Sequence, residues 1–375
     1  MEMDLTGLRQ EERVSLRLRG LFEQYGYKRI KARMFEDYAL YLENRSFLAA
    51  ERVITFTDPE GRLMALKPDV TLSLVKNTSA TAEVSEKLYY IEDVCRLSRE
   101  KREFREISQM GLELFGGIDA YAAAEVVRLA LLSLDCIDAD SVLDLSHMGF
   151  TGALLDALLP EDADRSALLT CIQAKNRHDL LQHAAAHGLS PENARRLARL
   201  ASLYGSFPQC LSEARAIAED NAAMHGALDE LEAIYALLEG SGLETRLRLD
   251  FSIVNDISYY TGVIFHGYVR RAPRAVLSGG RYDKLPQKFG SSAGAIGFAL
   301  YLDQVAERYA AGPEFDVDVL ILYPEACDLR ALTSAVQGLL TQGLRVRTER
   351  NMPENLRCRS LFYFADGELK EDAPC

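Results

Sequence analysis

Residues 88–116 read LYYIEDVCRLSREKREFREISQMGLELFG. Two apolar arms, 88–91 and 110–115, flank a middle in which Arg96, Arg99, Lys101, Arg102 and Arg105 interleave with Glu100, Glu103 and Glu106. That is the pattern of a β-hairpin with a charged tip. Successive strand residues point to opposite faces, so Gln109, Gly111 and Glu113 share one face while Met110, Leu112 and Leu114 share the other. The hairpin therefore carries a polar pair, Gln109 and Glu113, into a sheet-lined cavity. A charge run on its own would simply face water; the neighbouring positions give this one a more specific reading.

The segment resembles motif 2 of the class II aminoacyl-tRNA synthetases in its histidyl-tRNA synthetase form. Arg96 closes the first strand, a basic loop follows, and Arg105 to Gly116 supply the pattern Arg-x-x-x-Gln-x-Gly-x-Glu-x-x-Gly. Upstream, GYKRIKARMFEDYALY at 26–41 looks like the dimer-forming motif 1, although Arg33 stands near the place of the expected proline. Val14, Leu18, Leu21 and Phe22 lie at helical spacing before it, with Gly26 as the stop. RVITF and RLMAL, around the turn residues 58–61, predict two strands. A helix is expected from Pro68-Asp69, where Lys67-Pro68-Asp69-Val70-Thr71 resembles the family's Arg-Pro-Glu-Gly-Thr. Asp69 taken alone reads as a helix cap.

From about 117 to 245 the chain is Ala/Leu-rich and reads as almost entirely helical. His178, His183 and His187 lie there, without an acidic residue or cysteine to complete a metal set, and read as helix-surface residues. Strands return at 247–253 and 262–268. Between and after them, Asn255-Asp256-Ile257-Ser258-Tyr259-Tyr260-Thr261-Gly262 and Gly279-Gly280-Arg281-Tyr282-Asp283 resemble the two histidine-specific motifs, Arg-Gly-Leu-Asp-Tyr-Tyr-Thr-Gly and Gly-Gly-Arg-Tyr-Asp. Residues 295–304, AIGFALYLDQ, resemble motif 3, a strand followed by a helix. After Pro313 a βαββ pattern suggests a small α/β module, in the place of the family's anticodon-binding domain and much shortened.

The expected fold is thus α+β: a class II synthetase-like antiparallel sheet with flanking helices from 1–145 and 246–310, a helical insertion at 146–245, and a C-terminal α/β module at 314–375. The chain has 375 residues, 48% of them hydrophobic, which suffices for a sizeable core. Seven cysteines without metal-ligand spacing suggest reduced thiols and a cytoplasmic protein, and no apolar run has the length of a membrane span. The net charge of -13 opposes nucleic-acid binding, which depends on neutralising phosphates. Neither a metal nor a cofactor is expected.

The resemblance implies a pocket for free histidine. Glu113 and Tyr260 would meet the two imidazole nitrogens, which call for an anionic acceptor and a hydroxyl. Asp69, Thr71 and Gln109 would take the ammonium group, Arg96 the carboxylate, and Tyr259 with the Gly279-Gly280 backbone would form walls. Amino-acid activation also needs cations preorganised around the phosphates. Two of the family's arginines are replaced, by Asn255 and Gln304, and neither residue carries a guanidinium's charge or its bidentate fork. Aminoacylation is therefore expected to be lost.

A histidine pocket without its ATP-handling arginines resembles the regulatory subunits of ATP phosphoribosyltransferase, paralogues of these synthetases. The resemblance covers roughly residues 5–310 and implies a non-catalytic chain in histidine biosynthesis. Such a chain forms a homodimer within a hetero-oligomer, activates a short-form catalytic subunit, and mediates feedback inhibition with histidine as effector. The alternatives are a divergent histidyl-tRNA synthetase and a synthetase-like histidine sensor with another partner.

Overall fold

A computed structural model describes residues 8–44, 53–97, 103–160, 165–254, 260–270, 272–309 and 315–371. The chain divides into two compact units at Arg308/Tyr309.

The first unit opens with helix α1 (Gln10–Gln24), whose Val14, Leu18 and Phe22 form the buried stripe. The Glu12 carboxylate accepts from the Arg9 backbone N–H at 2.7 Å, meeting one of the helix's free N-terminal donors. Gly26, at φ +81°, ends it in the left-handed conformation that glycine adopts without a Cβ penalty. Then come β1 (Lys28–Arg29), β2 (Phe35–Asp37), α2 (Tyr38–Glu43), β3 (Thr55–Thr57) and β4 (Leu63–Leu66). β2, β4 and β3 form a small antiparallel sheet. α3 (Thr71–Asn77) leads to the long hairpin β5 (Glu86–Leu97) and β6 (Phe104–Gly116). The register is continuous from Glu86↔Phe115 to Leu97↔Phe104, as the alternation predicts.

Helix α4 (Ala120–Asp135) and strand β7 (Ser141–His147) precede a run of helices: α5 (Met148–Leu158), α6 (Ser166–Gln173), α7 (Arg177–Ala186), α8 (Pro191–Ala201), α9 (Phe207–Ala218) and α10 (Ala222–Leu238). β8 (Tyr204–Ser206) lies between α8 and α9. Thus 117–245 is not almost wholly helical. β7 is an interior strand of the main sheet, and its short alternation, LDLS at 143–146, is outweighed by the helical periodicity on either side. The unit closes with β9 (Leu247–Asp250), β10 (Val263–Val269), β11 (Leu277–Arg281), α11 (Lys284–Lys288), β12 (Gly294–Tyr301) and α12 (Leu302–Tyr309).

Nine strands form the main sheet in the order β1-β5-β6-β12-β11-β10-β7-β9-β8. The six from β5 to β7 run antiparallel. The sheet departs from a purely antiparallel one at β1–β5 and β7–β9, which are parallel. α4 lies on one face, where the absence of a Cβ at Gly267 admits Leu134. The opposite face carries Gln109 and Glu113 and shares a core with Tyr41, Val70, Leu72, Tyr90 and Tyr282.

The second unit contains β13 (Val317–Leu322), α13 (Leu329–Thr341), β14 (Val346–Glu349), β15 (Cys358–Ala365) and β16 (Glu368–Glu371), with strand order β14-β13-β15-β16. It has one more strand than the βαββ pattern predicts. Val319, Ile321, Leu332 and Phe364 form its core. Asp328 caps α13 by accepting from the Arg330 and Ala331 N–H groups. Cys358 is disulfide-bonded, a correction to the expectation of reduced thiols that cysteine spacing could not signal. Cys95, Cys136, Cys171, Cys210 and Cys327 are free.

Candidate functional site

Glu113 is the centre of the site. It lies on β6, 2% exposed, and its two oxygens are held by separate elements. Thr71, the first residue of α3, donates to Oε1 at 2.8 Å, and the Tyr282 hydroxyl donates to Oε2. Burial pushes the carboxyl up to about 8; these two hydrogen bonds oppose the shift, and the Asp69 charge adds to it. Across the strand pair stands Gly297, where a Cβ would overlap Glu113 Oε2 and the Leu112 carbonyl. The carboxylate fits only because residue 297 has no side chain.

Asp69 does two jobs. Oδ1 accepts from the Leu72 N–H at 3.1 Å, the helix-cap role its position predicts. Oδ2 accepts from Arg96 Nη2 at 3.2 Å, while Arg96 Nε donates to the Pro68 carbonyl at 2.6 Å. Burial raises the Asp69 carboxyl against the opposing pull of Arg96 and the helix N–H groups. In this arrangement Arg96 is held by the loop that presents Asp69, so the cation and the acceptor stand side by side.

Beneath them Lys67 and Glu92 form a buried ion pair at 2.5 Å, with side chains 0% and 9% exposed. Glu92 also accepts from the Ala32 N–H at 3.1 Å, and the Lys67 carbonyl accepts from the Cys95 N–H at 2.9 Å. The 67–71 segment is thereby fastened to β5, the strand that carries Arg96.

Tyr260 enters from β10's approach and packs on Gly280, where an added Cβ would come within 2.8 Å of its ring. Burial pushes its phenol far above the usual range, and Tyr301, Glu113 and Asp69 add to this. Gln109 is buried on the same face as Glu113, opposite Tyr301 in β12 and Glu92 in β5. Asp69, Thr71, Arg96, Gln109, Glu113, Tyr260 and Gly280 thus come together from α3, the hairpin, β11 and its neighbours. Gln304 lies on α12, just beyond the end of β12. Asn255 and Tyr259 fall outside the described residues.

Three tyrosines were not singled out from the sequence. Tyr282 holds Glu113. Tyr90 faces Gly111 across the hairpin and is raised by burial and by Glu113 and Asp69. Tyr301 shares a 2.7 Å hydrogen bond with Ser278 on β11. For Tyr282 the signal was present in the Gly-Gly-Arg-Tyr-Asp motif; Tyr90 and Tyr301 converge only through strand register.

A carboxyl flanked by phenols, a threonine and a second carboxylate–guanidinium pair can bind a small zwitterion bearing a hydrogen-bonding ring. The fold and this site define the class: a histidyl-tRNA synthetase-like core, and the histidyl-tRNA synthetase family model matches residues 2–305. Within that class the chain belongs to the family of ATP phosphoribosyltransferase regulatory subunits. It is 31% identical over 356 residues to the one from Symbiobacterium thermophilum, covering 90% of this chain and 86% of that protein. The Desulforamulus reducens protein of the same name is 32% identical over 340 residues, covering 88% and 83%. A crystal structure described as an ATP phosphoribosyltransferase regulatory subunit/histidyl-tRNA synthetase from Bacillus halodurans C superposes with a TM-score of 0.76 at 26% identity, covering 91% of this chain and 88% of that one. Histidyl-tRNA synthetase from Nostoc sp. PCC 7120 shares the fold, with a TM-score of 0.69 at 18% identity, covering 97% and 93%. No helix among the described residues is long and apolar enough to cross a membrane.

Proposed function

We propose that this chain is a non-catalytic regulatory subunit that activates a short-form ATP phosphoribosyltransferase catalytic subunit and senses histidine for feedback inhibition of histidine biosynthesis. The observation that carries the reading is Glu113, buried and gripped by Thr71 and Tyr282 at the floor of the pocket. An imidazole N–H donated to this carboxyl, with the Tyr260 hydroxyl at the second ring nitrogen, would select histidine over apolar side chains, which would cover the carboxyl and the phenol without offering either hydrogen bond. Asp69, Thr71 and Gln109 would meet the ammonium group and Arg96 the carboxylate.

The same pocket is poorly equipped for adenylate chemistry. Gln304 supplies no charge where the resembling motif carries an arginine, and Asn255 stands at the other replaced position. Each lost preorganised donor costs roughly 10² to 10³ in rate. Feedback then requires that histidine bind two states of the assembly unequally; a coupling of about 1 to 3 kcal/mol is typical.

Calorimetric titration with histidine, run beside a histidine-dependent ATP/pyrophosphate exchange assay, tests the reading. Binding without exchange is expected. Exchange at synthetase-like rates would make the chain a divergent enzyme, and absence of binding would remove the sensor.

A further inference from the structure

Tyr282, which grips Glu113, is itself bracketed by two charged neighbours. Arg281 ends β11, and its side chain leaves the sheet on the face opposite Gly280 and Glu113. There the guanidinium bridges two carboxylates: Nη1 donates to Glu230 Oε1 at 3.2 Å and Nε to Asp283 Oδ2 at 2.8 Å. Its stem lies over Gly262, where an added Cβ would come within 2.9 Å of Arg281 Cδ. Asp283 accepts from the Ala295 N–H of β12 at 3.0 Å, and its own N–H donates to Thr261 Oγ1 at 3.2 Å. The Thr261 N–H donates in turn to the Arg281 carbonyl at 3.0 Å, which ties the residue after Tyr260 to the same bracket.

Glu230 is the one member of this cluster that comes from the helical run. It lies on α10, which packs on α4 and α5. Its second oxygen accepts from His147 Nε2, at the end of β7, at 3.1 Å; a carboxylate only accepts, so the ring nitrogen is the donor. Against burial, His147 and Arg281 hold the Glu230 carboxyl below its ordinary range. The Glu230 and Arg281 side chains are 23% and 24% exposed, so solvent screens their attraction less than that of a surface pair.

We infer that Glu230 is a positioning residue of the Glu113 pocket: from α10 it fixes the Arg281–Asp283 bracket, and through it the place of Tyr282 against Glu113. The inference rests on the histidine reading of that pocket. Arg281 and Asp283 flank Tyr282 in the chain, so a bracket that shifts carries the phenol with it. A hydrogen bond weakens steeply as its angle closes, and the Tyr282 hydroxyl holds one oxygen of the carboxyl that would meet the imidazole. Glu230 thus acts from the far face of the sheet without touching the ligand.

Two measurements on the full chain test this, one with histidine and one without. Glu230→Gln keeps the shape, but its single amide oxygen cannot accept from both His147 and Arg281; calorimetric titration should show histidine binding about fivefold weaker. Arg281→Lys, which keeps the charge and loses the fork, should weaken it similarly, and the double variant should fall short of the product of the two losses, since both break one contact. Arg215→Met releases Asp229 and Glu232 of α10 without touching Arg281 and should bind histidine as the natural chain does. In histidine-free chains labelled with 3-fluorotyrosine, the fluorine resonance that Tyr282→Phe removes should shift in Glu230→Gln and Arg281→Lys and stay in place in Arg215→Met. Should either bracket variant fold poorly by circular dichroism, the other decides. If the natural chain binds no histidine, the sensor reading falls and the fluorine spectra alone judge whether Glu230 positions Tyr282. An unmoved Tyr282 resonance, unchanged histidine affinity in Glu230→Gln, or an equal loss in Arg215→Met would each overturn the inference.

Discussion

Thr71 Oγ1 and Glu113 Oε1 stand 2.8 Å apart, joining the first residue of a helix to a strand residue 42 positions later. The bond orients a carboxyl that would otherwise choose among rotamers, and it leaves that carboxyl buried beside Tyr282 and Tyr260. Replacing Glu113 with Gln keeps the shape and turns one of the two carboxyl oxygens, each of which accepts a hydrogen bond, into an amide that can only donate. Calorimetry should then show histidine binding weakened about 10- to 100-fold, the range expected when a buried polar group loses its partner. Unchanged affinity would take Glu113 out of the histidine site.

The same substitution should change how stability depends on pH. Burial raises Glu113 to about 8 and Asp144 to about 6, both above their ordinary values of 4.5 and 3.8. A carboxyl that keeps its proton longer in the folded chain than in the unfolded one stabilises the fold at low pH, and that contribution is lost as pH rises through the folded value. The Asp144 share is lost by about pH 6 and the Glu113 share by about pH 8. Thermal unfolding between these two values should show Tm falling in the natural protein and a flatter profile in Glu113→Gln. Parallel profiles would mean that Glu113 is already ionised in the folded chain.

Gly297→Ala places a methyl group on Glu113 Oε2 and the Leu112 carbonyl, one of them backbone that cannot swing away. Overpacking of this kind costs about 1 to 3 kcal/mol. Urea unfolding should register that loss, and histidine binding should fall with it. A variant as stable as the natural chain would contradict the close approach of β12 to the carboxylate.

For the buried Lys67–Glu92 pair, Lys67→Met should destabilise by about 3 to 5 kcal/mol, because Glu92 is left buried without a counter-charge. Adding Glu92→Leu should recover much of the loss, although the Ala32 N–H then loses its acceptor. If the double variant is no better than the single one, the pair acts through more than its charge.

The sequence disclosed the parts of the fold that obey a local rule. The 88–116 hairpin shows in its alternation and charged tip, α1 in its apolar spacing and its stop at Gly26, and the site's principal carboxylate in the face that Gln109 and Glu113 share. Strand β7 was hidden because its four-residue alternation is embedded in Ala/Leu-rich helices. Tyr90 and Tyr301 were hidden because they reach the site through pairings with Gly111 and Gln109, and register is a property of two strands together. The Arg96–Asp69 contact is also beyond the sequence: the motifs place the two residues at different ends of the ligand, and only the folded loop pairs them.

Regulation is tested most directly by the rate of phosphoribosyl transfer from phosphoribosyl pyrophosphate to ATP by a short-form catalytic subunit from the same source. It would be taken alone, with this chain, and with this chain plus histidine. The chain should raise the rate, histidine should lower it again, and Glu113→Gln should preserve the activation while blunting the histidine effect. No change in rate on adding the folded chain would contradict a regulatory role.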